Sequence, residues 1–156
     1  MNKKQTEILN DYVLHSALHL ITLEEQYLRR VCEKDLSLRE LHVLEAVASL
    51  EETKKNTMAE IARYLRLSPA SLTTSANVLV KKKYLTREYS PEDRRVIYVE
   101  LTETGREANR KYLEFVRRLV AYIGKDLDEQ SAESMIEALI NANEYLEHPE
   151  ENSELF

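Results

Sequence analysis

The stretch from Ser68 to Lys83 constrains the fold of this chain more than any other, because a strong helix start precedes an unusual polar helix face. A serine can cap a helix, and Pro69 suits the first helical position. With 3.6 residues per turn, this helix has two different sides. The apolar side carries Leu72, Ala76, Leu79 and Val80. The opposite side carries Ala70, Thr74, Asn77 and Lys81, with Ser71 and Thr73 at its flanks. Small hydroxyls and an amide suit close approach to base edges and phosphates, whereas solvated faces more often carry Glu, Lys and Gln. We therefore predict a helix for the major groove of DNA; a Ser/Thr-rich surface helix is the alternative.

Capping patterns before this stretch predict two more helices. Ser37 with Glu40 opens one helix, and Thr57 with Glu60 opens a short one over residues 58–65. Only two residues then separate the short helix from the start of the predicted groove helix. Two helices joined by so tight a turn, the second with a polar face, are typical of the helix-turn-helix arrangement.

A change of period from 3.6 to 2 follows the third lysine of the groove helix. Residues 84–89 and 96–101 are rich in aromatic and β-branched side chains, and the polar segment 90–95 lies between them. This pattern predicts a β-hairpin. We interpret the hairpin as the wing of a winged helix-turn-helix domain over residues 37–102.

The tip of the predicted wing carries two arginines, Arg94 and Arg95. Arginine that reaches into a narrow minor groove gains from the negative potential there without reading much sequence. Asp93 is expected to hold the Arg95 guanidinium in one orientation, as carboxylates do. A tip that is polar only because it is solvated is the alternative.

Basic residues are concentrated in the middle of the chain. The formal net charge at pH 7 is −6, but residues 60–118 hold 13 Lys and Arg against 8 Asp and Glu, a net charge of +5 that leaves −11 elsewhere. An attractive surface for phosphate is therefore confined to one region. We expect the lysines at 81–83 and the wing arginines to supply it.

Both ends of the chain are predicted to be helical. Residues 6–33 have the pattern of one long helix with apolar residues around most of its circumference, so more than one of its sides must be buried. A partner chain is the simplest source of the second surface, and we expect residues 1–36 and 103–156 to form a dimerisation region. The predicted fold class is mainly α with a small β-hairpin wing. A single cysteine, and no apolar run of bilayer length or signal-peptide core, favour a cytoplasmic protein.

The most specific motif is the segment 93–102, Asp-Arg-Arg-Val-Ile-Tyr-Val-Glu-Leu-Thr. It matches the D-x-R wing, and the Leu-Thr that opens the next helix, of the MarR family of bacterial winged-helix regulators, which the chain resembles over nearly its whole length. The resemblance implies a two-fold homodimer that binds a pseudo-palindromic operator, most often as a ligand-responsive repressor, with helix 68–83 in the major groove and wing 90–95 at the minor groove. The polar helix face and the resemblance together predict DNA contacts for Ser68, Ala70, Ser71, Thr73, Thr74, Asn77, Lys81, Arg94 and Arg95, with Asp93 supporting the wing.

A narrower likeness concerns the segments 35–42, 72–75 and 93–96. They are similar to those of the MarR subgroup that represses fatty-acid synthesis genes in Gram-positive bacteria. This likeness implies that acyl groups on acyl carrier protein act as co-repressor. An acyl chain would enter the apolar space between the terminal helices and the winged domain.

A thiol- or metal-responsive regulator of the same fold is an alternative. His15 and His19 are spaced to supply two metal ligands from one helix face, but the sequence shows no further ligand cluster. His42 lies among apolar residues, where a satisfied core histidine is the commoner outcome. Arg29 and Arg30 near Cys32 would lower its pKa, but nearby acidic residues offset them.

An enzyme and a protein-binding winged domain are rivals from other classes. The only glycines are Gly105 and Gly124, so the chain has no glycine-rich loop for phosphate, and no nucleophile–base pair stands out. We therefore predict no catalytic residues, metal or cofactor. A protein-docking helix would expose aromatic or leucine side chains where this chain has Ser, Thr and Asn.

Overall fold

The computed structural model of the protein describes residues 1–31, 36–90, 93 and 95–147. Within these ranges the chain is mainly helical and carries one antiparallel two-stranded sheet, so the predicted fold class is confirmed. The elements are α1 (Lys3–Asp11), a π-helical turn (Tyr12–Ser16), α2 (Ala17–Val31), α3 (Leu38–Glu51), α4 (Met58–Tyr64), α5 (Pro69–Lys81), β1 (Leu85–Tyr89), β2 (Ile97–Leu101), α6 (Glu103–Gly124) and α7 (Glu129–Glu147).

The chain divides by compactness into two units, residues 1–115 and residues 116–156. The predicted functional division, a dimerisation region of residues 1–36 and 103–156 around a winged domain at 37–102, follows another criterion and stays a prediction. Of the helices in the described ranges, none combines the length and the apolar composition that a bilayer span requires.

The first helical region begins earlier than predicted and is interrupted. We predicted one helix over residues 6–33 from the apolar pattern, but a capping box at Asn2 starts α1 at Lys3. Asn2 Oδ1 accepts from the backbone N–H of Gln5 at 3.0 Å, and the Gln5 side chain accepts from the backbone N–H of Asn2 at 2.7 Å. The π-helical turn then separates α1 from α2, and the predicted end at residue 33 lies outside the described residues.

The two predicted capping residues before the groove helix are confirmed. Ser37 Oγ accepts from the backbone N–H of Glu40 at 3.3 Å, and the Glu40 carboxylate accepts from the backbone N–H of Ser37 at 2.7 Å. Thr57 Oγ1 accepts from the backbone N–H of Glu60 at 3.3 Å, whereas the Glu60 carboxylate accepts from the Arg63 guanidinium. α3 and α4 therefore begin where the sequence placed them.

The interior of the winged region is formed by α3, α4, α5 and the hairpin. β1 and β2 pair with Leu85 opposite Leu101 and Tyr89 opposite Ile97. Because the apolar side of α5 packs into this interior, its opposite side faces outward. The largest side chains with less than 2% of their surface exposed are Leu41, Val43, Leu44, Val47, Ile61, Leu72, Leu79, Leu85 and Val99.

Asn56 joins the base of the wing to the helix-turn-helix. The polar run 51–56 predicts a loop, and within this run Asn56 is buried. Its backbone oxygen accepts from the N–H of Val99 at 2.9 Å, and its Nδ2 donates to the Val99 carbonyl at 2.8 Å. Thr57 adds an isolated antiparallel bridge to Tyr98. The start of α4 and the wing are thus one hydrogen-bonded assembly.

Aromatic side chains attach α2 to the first half of α6. The rings of Tyr27 and Phe115 stack with centroids 4.6 Å apart, and the Tyr27 hydroxyl donates to the Lys111 carbonyl at 2.9 Å. The Tyr112 hydroxyl donates to Glu24 Oε1 at 2.9 Å. Burial, followed by this bond, raises the pKa of Tyr112 above its ordinary value, so the phenol stays protonated and remains a donor.

Candidate nucleic-acid interface

α5 spans Pro69–Lys81 and begins as the sequence predicts, with proline in its first turn. Ser68 Oγ accepts from the backbone N–H of Ser71 at 3.2 Å, which satisfies one of the free donors at the start of the helix. The predicted apolar side is confirmed, because it is buried at Leu72, Ala76 and Leu79.

The polar side of α5 faces solvent, with Ser71 half-buried. The Thr73 hydroxyl donates to the Pro69 carbonyl at 2.7 Å, and the Thr74 hydroxyl donates to the Ala70 carbonyl at 3.0 Å. Because these hydroxyl protons are used within the helix, the threonine oxygens offer lone pairs outward beside their methyl groups. The exposed residues are Ser68, Ala70, Thr73, Thr74, Asn77 and Lys81.

Asn77 is exposed and is held by a strand residue that the sequence interpretation missed. Arg87 Nη1, on β1, donates to Asn77 Oδ1 at 2.8 Å. The two residues are ten positions apart and lie on different elements. Alternation along β1 was the available signal, since it places Arg87 on the same face as the buried Leu85. No pattern in the sequence indicates that Asn77 on α5 is the residue that Arg87 contacts.

The three lysines that end the groove helix are not equivalent. Lys81 and Lys83 are exposed, but Lys82 Nζ lies 3.0 Å from both carboxylate oxygens of Glu40 on α3. The ammonium of Lys82 is thus paired within the protein, and the expectation that 81–83 supply phosphate attraction stays a prediction. Burial alone raises the pKa of Glu40, but hydrogen bonds from Ser37 and Lys82 outweigh burial and hold that pKa below its usual value.

Two hydrogen bonds of Asp93 hold the wing, one through its carboxylate and one through its backbone N–H. Asp93 Oδ1 accepts from the backbone N–H of Arg95 at 2.9 Å, and the Asp93 backbone N–H donates to Ser90 Oγ at 3.3 Å. This contact differs from the expected one, because the Asp93 carboxylate holds the main chain at Arg95 and not the Arg95 guanidinium. Arg95 is exposed, and Arg94 lies outside the described residues.

The candidate sensing residues are dispersed. His15 Nδ1 lies 2.9 Å from Asp11 Oδ1, with both side chains exposed, and His19 is exposed one turn further on. His42 is half-buried, with its ring 6.0 Å from that of Tyr112. Nowhere in the described ranges do three His, Cys, Asp or Glu side chains meet as a metal site would require, and Cys32 lies outside those ranges.

Known proteins share both the sequence pattern and the fold. A sequence model described as "MarR family" matches residues 34–96. The HTH-type transcriptional regulator YpoP of Bacillus subtilis is 31% identical over 105 residues, which cover 64% of this chain and 72% of YpoP. The HTH-type transcriptional repressor MdtR of the same organism is 25% identical over 136 residues, 87% of this chain and 84% of MdtR.

A solved protein–DNA complex has the same architecture. The crystal structure of Streptococcus pneumoniae FabT in complex with DNA matches with a TM-score of 0.81 and 28% identity, covering 91% of this chain and 97% of that one. The exposed polar face of α5 and the wing therefore belong to a fold that is known to bind DNA in this relative.

Proposed function

We propose that this chain, which belongs to the MarR family of winged-helix transcriptional regulators, is a homodimeric repressor that places its two copies of α5 in successive major grooves of one operator. The observation that carries the proposal is the exposed face of α5, where small hydroxyls and an amide are free of core packing. MdtR, a relative named as a repressor, supports repression as the outcome. We propose that the bound dimer represses by occluding a promoter.

The residues proposed to contact DNA divide by the kind of contact they can make. The short side chains of α5 reach base edges or nearby phosphates, and the cations supply attraction that does not depend on sequence. The proposed set is Ser68, Ala70, Ser71, Thr73, Thr74, Asn77, Lys81, Arg94 and Arg95, with Asp93 supporting the wing.

A second copy of the chain would cover the apolar side chains near the N-terminus. Val13, Leu14 and Leu18 are 71%, 66% and 64% exposed, and they lie within two turns of one another in the π turn and α2. Contiguous apolar surface of this kind favours association, and a two-fold axis lets one patch pair with itself. In α7, considered by itself, Ile136 and Leu139 are also more than half exposed.

Selection of bound fragments from a random duplex pool tests the DNA-binding proposal. We expect a pseudo-palindrome with half-sites about one helical turn, or about 34 Å, apart, and an affinity that falls steeply with salt. Thr74→Glu would set a carboxylate against the phosphates and abolish binding. Thr53→Glu is the matched control, since Thr53 is also exposed and also donates its hydroxyl to a backbone carbonyl, but outside the proposed interface. Equal loss in both variants, or no selected sequence, would contradict the proposal.

Light scattering of the full chain tests the dimer. Leu18→Asp should give a monomer and weaken operator binding by about a hundredfold or more, because each half-site would then be bound alone. Gln26→Asp adds the same charge at an exposed site on the same helix and should leave the dimer intact. A dimeric Leu18→Asp protein would place the interface elsewhere.

For the effector, we propose acyl groups carried on acyl carrier protein, acting as co-repressor at fatty-acid synthesis genes. The support is the likeness of segments 35–42, 72–75 and 93–96 to that subgroup. Mass spectrometry of the purified protein for retained acyl species, and operator affinity with acylated against unacylated carrier protein, test this proposal. Equal affinity with both forms of the carrier would reject it.

A further inference from the structure

The bond between Arg87 and Asn77 fixes which atoms the Asn77 amide presents outward. Arg87 Nη1 lies 2.8 Å from the amide oxygen. A guanidinium has donors only, so the atom that faces it must be Oδ1 and cannot be Nδ2. Since Oδ1 and Nδ2 lie on opposite sides of the same carbon, the NH₂ group is directed away from Arg87.

The Arg87 guanidinium is held in place by the domain. Arg87 pairs with the buried Val99 across the hairpin and is itself only partly exposed. Its Nε and Nη2 are shielded from solvent and have no hydrogen-bond partner in the described part of the chain. Each shielded donor without a partner costs free energy. Breaking the bond from Nη1 to Asn77 would add a further donor without a partner, so the folded protein favours this bond.

The orientation of the amide decides the kind of base edge that Asn77 can read. Asparagine recognises adenine by accepting from N6 and donating to N7, which needs an available Oδ1. In this structure one side of Oδ1 is already occupied, whereas both N–H donors of Nδ2 are available. Guanine offers two acceptors, N7 and O6, on its major-groove edge.

We propose that Arg87 is a positioning residue that makes Asn77 a hydrogen-bond donor toward DNA, so that the base met by Asn77 is guanine in preference to adenine. This inference rests on the proposed function, in which α5 lies in the major groove. Arg87 itself acts through Asn77 and does not touch the base.

Operator variants at each base pair, measured with the full-length dimer, test the inference. Asn77→Asp retains an acceptor for Arg87 but loses both donors, and it should lose the guanine preference at one base pair by roughly 5- to 150-fold. Arg87→Met frees the amide to turn over, and the ratio of guanine to adenine affinity at that same base pair should fall about tenfold or more. In an Asn77→Ala background, Arg87→Met should change discrimination no further.

The controls separate positioning from other roles of Arg87. Arg29→Met removes an equal charge from an exposed site on α2 and should leave discrimination unchanged. If Arg87→Met weakens binding to all sequences alike, lowers the salt dependence and does so equally in the Asn77→Ala background, Arg87 is a phosphate contact and the inference is wrong. If Arg87→Met does not fold, Asn77→Asp decides, because a retained guanine preference overturns the inference. A wild-type protein that selects no sequence overturns the proposed function instead.

Discussion

Lys82, the capping residue that follows α5, donates to both carboxylate oxygens of Glu40 in the first turn of α3, at 3.0 Å each. The same carboxylate accepts from the backbone N–H and the hydroxyl of Ser37, so it closes the capping box of α3 as well. One buried side chain thus joins the end of the proposed recognition helix to the start of the helix behind it.

Loss of this pair should destabilise the winged region. Lys82→Met keeps the aliphatic stem but leaves Glu40 without its cation, and we expect the free energy of unfolding to fall by about 1.5–3 kcal/mol, the usual worth of hydrogen bonds to a charged group. Lys83→Met is the control, since Lys83 is exposed and should change stability by less than about 0.5 kcal/mol. Urea unfolding followed by circular dichroism measures both, and equal midpoints would show that the pair contributes nothing.

Stability should also depend on pH through Glu40. Its pKa is lower in the folded protein than its ordinary value of 4.5, so the folded state is stabilised above that value, and this stabilisation is lost as the pH falls through the lower folded pKa. Glu40→Gln should therefore be less stable than wild type at pH 7, with the difference shrinking below pH 4.5. Urea titrations at a series of pH values follow this difference. A constant difference down to pH 3 would rule out the linkage.

Opposite effects are expected for alanine at the two glycines. A Cβ at Gly105 would lie 2.2 Å from the Tyr84 carbonyl oxygen and 3.1 Å from Leu101 Cδ2, so Gly105→Ala must displace backbone and should cost about 1–3 kcal/mol or more. A Cβ at Gly124 would meet nothing within 4 Å, and Gly124→Ala should raise stability by up to about 1 kcal/mol. Thermal unfolding of both variants distinguishes them, and an unchanged or raised midpoint for Gly105→Ala would contradict the close approach at Gly105.

The hydrogen bond between the Arg95 backbone N–H and Asp93 predicts different effects for two substitutions of Asp93. Asparagine keeps an oxygen that can accept from the Arg95 backbone N–H, whereas alanine does not. Asp93→Asn should therefore bind the selected operator nearly as tightly as wild type, and Asp93→Ala several-fold more weakly, in fluorescence anisotropy. Equal weakening in both variants would favour the carboxylate–guanidinium pairing that the sequence first suggested.

The helices and strands that were predicted correctly have signals within a few neighbouring residues of the sequence. The Ser68–Pro69 start, the 3.6-residue period that follows it and the alternation on both sides of the wing each lie within one element, and their outcomes match. The start of α1 was missed because the prediction followed apolar periodicity and gave no weight to the Asn2–Gln5 capping box.

The contacts between elements could not be predicted in the same way. Glu40 and Lys82 are 42 residues apart, and Asn56 and Val99 are 43 apart, so neither pair has a local pattern. Which of three consecutive lysines turns inward depends on the position of α3 beside α5, and the same holds for the strand residue that holds Asn77. The sequence thus indicated the surface of the candidate site but not the side chains that orient it.

The π-helical turn at residues 12–16 sets the rotational phase of the first helical region. A turn closed by i→i+5 bonds takes up one residue more than a regular α turn, and one residue corresponds to about 100° of rotation. Deleting a single residue there would let the turn close as regular α-helix and would leave the side chains of α1 and α2 in nearly their present relative orientation, whereas a deletion within α1 itself would turn the residues before it by about that angle. An alignment that crosses this turn without a gap would consequently equate residues that point in different directions.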